Sequence, residues 1–289
     1  MLTNLFDGLA YGMLLFVLAC GLSVTLGVMN FINLAHGAFA MAGGYLTVFA
    51  MQALVNTLGV PFLACLPLVF VATALLGLLL ERTLYVHVYA RSHLDQVLFS
   101  IGLVFMAMAA IDYTRGSRQV FVRIPEWLNA RFEVLGASIG AYRLMIVLLC
   151  GAIALALQLV LSRTRFGSRL RAAVDDPVVA RGLGINVGAV FALTFAVGSG
   201  LAGLGGALGA EILGLDPSFP LKYMVYFLIV VTVGGSASIT GPFLAAVLLG
   251  MADVAGKYYL PDGGGFVIYT LMIVLLLARP NGLFVRGGR

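Results

Sequence analysis

The sequence predicts an all-α polytopic integral membrane protein, a helical bundle with glycine-broken helices, and three observations carry that reading. First, 62% of the 289 residues are hydrophobic and only 10% are charged, with a mean hydropathy of +1.07. A soluble domain carries roughly 25% charged residues because its surface must be hydrated; this chain must have lipid as its solvent. Second, apolar runs recur near residues 8–28, 34–55, 61–80, 95–113, 141–161, 188–210, 223–241, 243–258 and 265–279. Each approaches the about 20 residues that a spanning helix needs. The second run and the seventh–eighth pair are interrupted by glycine or polar residues, so eight or nine spans are expected within a single domain, 1–289. Third, there are 36 glycines, which let membrane helices approach closely and break where a path needs irregular backbone.

The polar connections set the expected topology. The N-terminal stretch Met1–Asp7 has no Lys or Arg and so lacks the basic region of a cleaved signal peptide; the first span is expected to be retained. Arg163, Arg165, Arg169 and Arg171 stand against the end of a run, where the positive-inside rule is strongest. That places 162–187 in the cytoplasm together with 81–94 and 280–289, and 114–140 outside. Nine passes leave the N-terminus outside; eight reverse it. The formal charge of +5 is scattered over the loops, which excludes a basic face for nucleic acid. Cys20, Cys65 and Cys150 lie within apolar runs and read as small buried hydrophobes.

Two interrupted segments are candidates for the path of a solute. In Asn30-Phe31-Ile32-Asn33-Leu34-Ala35-His36-Gly37, two amides and an imidazole lie in or beside an apolar stretch. Polar groups there cost several kcal/mol unless satisfied, so such residues face a bundle interior or a watery cavity; the alternative is hydrogen bonding between helices that only fixes packing. The second is Val233-Gly234-Gly235-Ser236-Ala237-Ser238-Ile239-Thr240-Gly241-Pro242. Its glycines and proline oppose a continuous helix, and a glycine-interrupted segment in each half of a chain marks the path in repeated transporters. A simple turn between two spans is the competing reading. Asn30, Asn33, His36, Gly234, Gly235 and Ser236 are therefore the expected path residues.

The loop 162–187 carries a different signal. Asp176 followed by Pro177 is an N-cap and the residue favoured at the first helical position, and Gly182 and Gly184 are stops. A short helix near 177–182 is expected, bearing Val178, Val179 and Leu183 beside charges. Such an apolar-edged helix suits a groove on a partner. The alternative is a solvated connector.

The sequence has no phosphate loop of the G-x-x-x-x-G-K-[ST] type, so ATP is not expected on this chain in that mode. It shows no His/Cys pairing at metal-ligand spacing, and no base is spaced to Ser199 in Gly198-Ser199-Gly200; neither a metal nor a catalytic residue is expected. Among the isolated acids Asp112, Glu211 and Asp253, Asp253 is the nearest to mid-membrane. It would matter most to a self-sufficient, ion-gradient-driven carrier, the main alternative to an ATP-driven one.

These strings together resemble the permease family of ABC importers for branched-chain amino acids and related solutes. The resemblance rests on Asn33-Leu34-Ala35-His36-Gly37 with Gly43-Gly44-Tyr45, and on Thr164-Arg165-Phe166-Gly167 continuing to Gly184-Ile185-Asn186. It rests also on Gly234-Gly235-Ser236 through Gly241-Pro242, and on Arg279-Pro280-Asn281-Gly282-Leu283-Phe284. The Asn-x-Ala-His-Gly style and modest length are similar to the shorter of two paired permeases, although Gly241-Pro242 stands where that subunit more often has Pro-Gly-Ala. The resemblance implies a bacterial inner-membrane location and a second homologous permease as partner. It further implies two cytosolic ATPase subunits that hold the ATP and a periplasmic solute-binding protein. It makes 172–185 the coupling element, with Arg171, Asp175, Asp176, Pro177, Val179, Arg181 and Leu183 at the ATPase contact. The solute, among branched-chain amino acids, amides, urea and aromatic acids, is left open.

Overall fold

The computed structural model describes residues 2–29, 31, 33–55, 61–89, 91–134, 136–235, 239–279 and 282–283. Every predicted apolar run is a helix: α1 (Leu2–Met29), α2 (His36–Ala50), α3 (Phe62–Thr83), α4 (His93–Arg115) and α5 (Ala141–Arg163). Two amphipathic helices follow, α6 (Arg165–Asp175) and α7 (Pro177–Gly182), and then α8 (Val187–Gly209), α9 (Phe219–Gly234), α10 (Thr240–Tyr259) and α11 (Gly264–Ala278). Five of these, α1, α3, α4, α5 and α8, are long and apolar enough to cross a membrane by length and composition. By contrast α2 and α11 have 15 residues and α9 has 16. At 1.5 Å per residue that is about 22–24 Å, short of the roughly 30 Å hydrocarbon layer. The shortness of α2 and α9 follows from the polar and glycine-rich segments beside them.

The centre of the bundle is α1. Leu14 through Cys20 are all sealed from solvent, enclosed by α5, α8, α9 and α10. α8 is the second central helix, lying between α1, α2 and α3. Small residues permit this: a methyl group added at Gly43 of α2 would fall on the Gly203 backbone of α8, and one at Gly206 on the Ala40 carbonyl. Backbone contact of that kind replaces the hydrophobic drive that lipid removes. The helices α4 and α5 are peripheral and turn leucines such as Leu98, Leu148 and Leu155 outward. All three cysteines are buried and free.

The bundle has two distinct ends. At one, the 114–140 connection folds into a hairpin of β1 (Arg131–Val134) and β2 (Ala137–Gly140), which the all-α reading did not foresee. Gly136, at φ 77°, supplies the positive φ of its turn. Val120 and Leu215 exchange backbone hydrogen bonds of 2.8 and 2.7 Å, tying this connection to the one between α8 and α9. The first turns of α1 lie here too, because Asp7 pairs with Arg143 of α5, and so does the turn from α10 to α11, since Gly8 of α1 abuts Met251. The opposite end carries α6, α7 and the turn from α9 to α10. There the Leu283 amide donates to the Val233 carbonyl at 2.8 Å.

Candidate functional site

The chain leaves α1 and doubles back alongside it before α2 begins. The Phe31 amide donates to the Thr25 carbonyl at 3.2 Å, and His36 Nε2 lies 3.0 Å from the Leu18 carbonyl, so that nitrogen carries the proton. Leu18 precedes the end of α1 by 11 residues, about 16 Å of helix. The start of α2 is thus inside the bundle rather than at its edge. Asn33 Oδ1 accepts from the Ala35 amide at 3.1 Å and from the Tyr85 hydroxyl at 3.0 Å. Tyr85 is itself sealed, with Phe31, Phe99 and Phe195 rings 5.5, 5.2 and 4.6 Å away. Asn33 and His36 are 1% and 2% exposed. In this conformation both act as pins that fix where α2 starts. Asn30 lies outside the described residues.

The second interrupted segment closes tightly. α9 ends at Gly234, and Gly235 takes φ 80° as its amide donates to the Val231 carbonyl at 2.9 Å. A side chain at Gly234 would collide with the Pro242 backbone, while Gly282 abuts Gly235. Gly234 and Gly235 therefore sit in a three-way backbone crossing at the α6–α7 end. Ser236 lies outside the described residues. The structure does not bring Asn33 and His36 into contact with this crossing; the α9 residue against His36 is Phe227, with ring centroids 6.3 Å apart.

The loop 162–187 is more ordered than the sequence suggested. Thr164 caps α6 through the Gly167 amide at 3.4 Å, and Asp176 Oδ1 caps α7 through the Val178 and Val179 amides at 2.9 and 3.0 Å. The helix expected near 177–182 spans Pro177–Gly182. The coupling element implied over 172–185 takes in the end of α6 and all of α7, divided where Asp176 adopts extended backbone as the cap of the second. Leu170, Ala173 and Ala180 are buried with Val187 and Val190 of α8, and Phe166 packs against them. That small core holds the pair to the bundle through its inner face. The outer face carries Arg171, Asp175, Asp176, Pro177, Val179, Arg181 and Leu183, every one exposed. Val178 and Leu183 are 72% and 74% exposed. Three large apolar side chains thus stand in the open beside charges, with a rigid base beneath.

At the hairpin end the structure assembles residues that the sequence kept apart. Asp253, at 0% exposure, accepts from Lys257 one turn later on α10. Tyr11 of α1 and Tyr223 and Tyr226 of α9 share a cavity of about 350 Å³ with this pair and with Asp7 and Arg143. Sequence reasoning isolated Asp253 but missed the tyrosines and Arg143. The i, i+4 spacing to Lys257 was the one local signal available. Beside the cavity, Glu211 just beyond α8 has its carboxyl pushed above the usual range by burial, with Arg143 opposing. Asp216 in the α8–α9 connection is also raised by burial, but hydrogen bonds from Lys222 and Ser218 outweigh this and hold it below the usual range. Among the described residues no group of three His, Cys, Asp or Glu is placed to hold a metal.

The long apolar helices define a membrane protein of the multi-pass helical class. The family model described as "Branched-chain amino acid transport system / permease component" matches residues 4–276, and the chain belongs to that family. It is 28% identical over 296 residues to the high-affinity branched-chain amino acid transport system permease protein LivH of Escherichia coli (strain K12), covering 99% of this chain and 96% of that protein. It is 28% identical over 290 residues to the probable branched-chain amino acid transport permease protein LivH of Methanocaldococcus jannaschii, covering 94% and 89%. The LivM permease of Salmonella typhimurium is 24% identical over 299 residues, but there the match covers 68% of the relative. The full-length match is thus to the shorter type of permease. No solved structure matches.

Proposed function

We propose that this chain is one of two membrane subunits of an ATP-driven importer for branched-chain amino acids, working with a second, longer permease, two cytosolic ATPases and a periplasmic binding protein in a bacterial inner membrane. On this reading ATP binds to the partner subunits, and the permease contributes two stable arrangements whose balance those partners shift. The α6–α7 end faces the cytoplasm and the hairpin end, with the N-terminus, faces outward.

The observation that supports this best is the outer face of α7. Val178, Val179 and Leu183 are exposed on a helix that is capped by Asp176 and anchored from beneath by Leu170, Ala173 and Ala180. A solvated connector has no need of apolar groups on a rigid base, whereas a helix seated in a partner's groove does. The pinned start of α2 supports the second half of the reading. Asn33 and His36 would hold α2 against α1 and α3 as the solute path opens and closes beside them.

The test is uptake of L-leucine into vesicles carrying the full transporter, with Asp176→Ala, Val179→Glu and Arg181→Glu combined in one variant. Loss of both ATPase association and uptake is expected. Normal association and uptake by that variant would reject the docking assignment. Uptake by the purified chain alone, driven by an ion gradient, would reject the ATP-driven reading altogether.

A further inference from the structure

The cavity at the hairpin end is built from charges that the sealed bundle would otherwise exclude. Asp253 lies six residues before the end of α10, about 9 Å inside it. Its Oδ2 accepts from Lys257 Nζ at 2.5 Å. Its Oδ1 is buried and has no hydrogen-bond partner among the described residues, and Asp253 is one of the residues that bound the cavity. An unsatisfied buried carboxylate oxygen is costly, so one that persists points to a donor arriving from elsewhere. Lys257 is half-exposed and its ammonium lies 5.7 Å from the Tyr11 ring centroid, leaving donors free for an acceptor. The ion pairs Asp7–Arg143 and Asp253–Lys257 make the lining neutral overall.

We propose that this cavity is an outward-facing vestibule that binds the solute as a zwitterionic α-amino acid, with its ammonium on Asp253 Oδ1 and its carboxylate on Lys257. The substrate class rests on the importer reading above; the site itself does not. The charge pattern selects the zwitterion. A solute with only an ammonium leaves the remaining Lys257 donors without a second acceptor, and one with only a carboxylate leaves Asp253 Oδ1 without a donor. Tyr11, Tyr223 and Tyr226 form one wall, with the last two rings 6.0 Å apart, and Ile212, Leu213 and Val254 offer apolar surface for an aliphatic side chain. The volume of about 350 Å³ falls at the lower end of the roughly 300–1,000 Å³ range of small-molecule sites. The bland alternative is an i, i+4 ion pair that only braces α10 against α1. It makes no use of the free oxygen.

Thiol protection in the full-length chain, reconstituted in lipid, separates the two. Val254→Cys is labelled with a maleimide while L-leucine, leucinamide or 4-methylpentanoate is present; Cys20, Cys65 and Cys150 are buried and give a low background. L-leucine should slow labelling saturably at millimolar concentration, and the two half-molecules should not. Adding Asp253→Asn or Lys257→Gln should raise the half-protecting concentration about tenfold or more. Leu213→Cys repeats the measurement should Val254→Cys fold poorly. No protection by L-leucine, equal protection by all three compounds, or protection unchanged by both variants overturns the vestibule. Leucine uptake by the assembled transporter is measured in parallel. Uptake without protection overturns the vestibule and leaves the importer reading standing. Protection without ATP-dependent uptake overturns the importer reading and leaves the vestibule standing.

Discussion

The start of α2 and the outer face of α7 each reverse the usual match of side chain to solvent, and they do so in opposite ways. Around Asn33 and His36, polar groups are buried in an apolar bundle; on α7, Val178, Val179 and Leu183 are apolar and exposed. The difference lies in what satisfies them. Asn33 Oδ1 has the Ala35 amide and the Tyr85 hydroxyl, and His36 Nε2 has the Leu18 carbonyl, so these inner polar atoms find their partners within the chain. The α7 valines and leucine have their helix fixed by Asp176 but nothing covering them. A buried polar group with all partners inside the fold reads as architecture. An exposed apolar group on a rigid base reads as half of an interface.

That contrast can be broken at either side. The largest effect is expected at α7. Val179→Asp with Leu183→Asp should lower ATPase association at least about 100-fold, the scale of central interface residues, while the thermal stability of the chain itself moves little, as surface changes do. A large fall in melting temperature would instead make this face part of the fold.

The inner site should respond oppositely. Asn33→Leu leaves the buried Tyr85 hydroxyl without its acceptor and should cost about 1–3 kcal/mol of stability. Tyr85→Phe added to it should recover part of that loss. A double-mutant cycle read by thermal unfolding in detergent gives the coupling directly, and a coupling near zero would remove Asn33 from the architecture and return it to the path. Next in size is Asp176→Ala, which removes the cap of α7 at about 1 kcal/mol. It should weaken ATPase association through the shape of the helix, so Asp176→Asn, which keeps the accepting oxygen, should restore it.

The smallest effect is a pH dependence at the hairpin end. Asp216 is held below the usual carboxylate range in the folded chain by Lys222 and Ser218. Its contribution is therefore complete above the ordinary carboxylate pKa and is lost as pH falls through the depressed folded value. Asp216→Asn should flatten that part of the stability–pH curve slightly, since the Lys222 side of the pair is half-exposed and screened by solvent. Glu211, raised by burial, has the opposite sign. Its charged form opposes folding above its raised pKa, and that cost is relieved as pH falls through it. Glu211→Gln should raise stability at neutral pH; no change would show that solvent reaches the carboxylate.

Much of this was legible in local pattern. The apolar runs became helices with ends shifted by a few residues, and Asp176-Pro177 with Gly182 set the bounds of α7 because a cap, a fixed φ and a stop are properties of neighbouring residues. α6 was missed although Phe166, Leu170, Ala173 and Val174 keep helical spacing; the arginines between them dominated the reading of a loop. The β-hairpin was missed because strands this short carry little periodicity.

By itself the sequence determined the solvent, the order of the helices and the capped element outside them, since composition and period act over one or two turns. The tertiary structure decided that α2 starts beside Leu18, that Asn33 meets Tyr85 and that α6 and α7 are moored by Val187 and Val190. It also decided that Asp253 shares a cavity with Tyr11 and Tyr223. Each of these joins residues distant in the chain, and glycine-lined contact between helices fixes their meeting only once the bundle has closed.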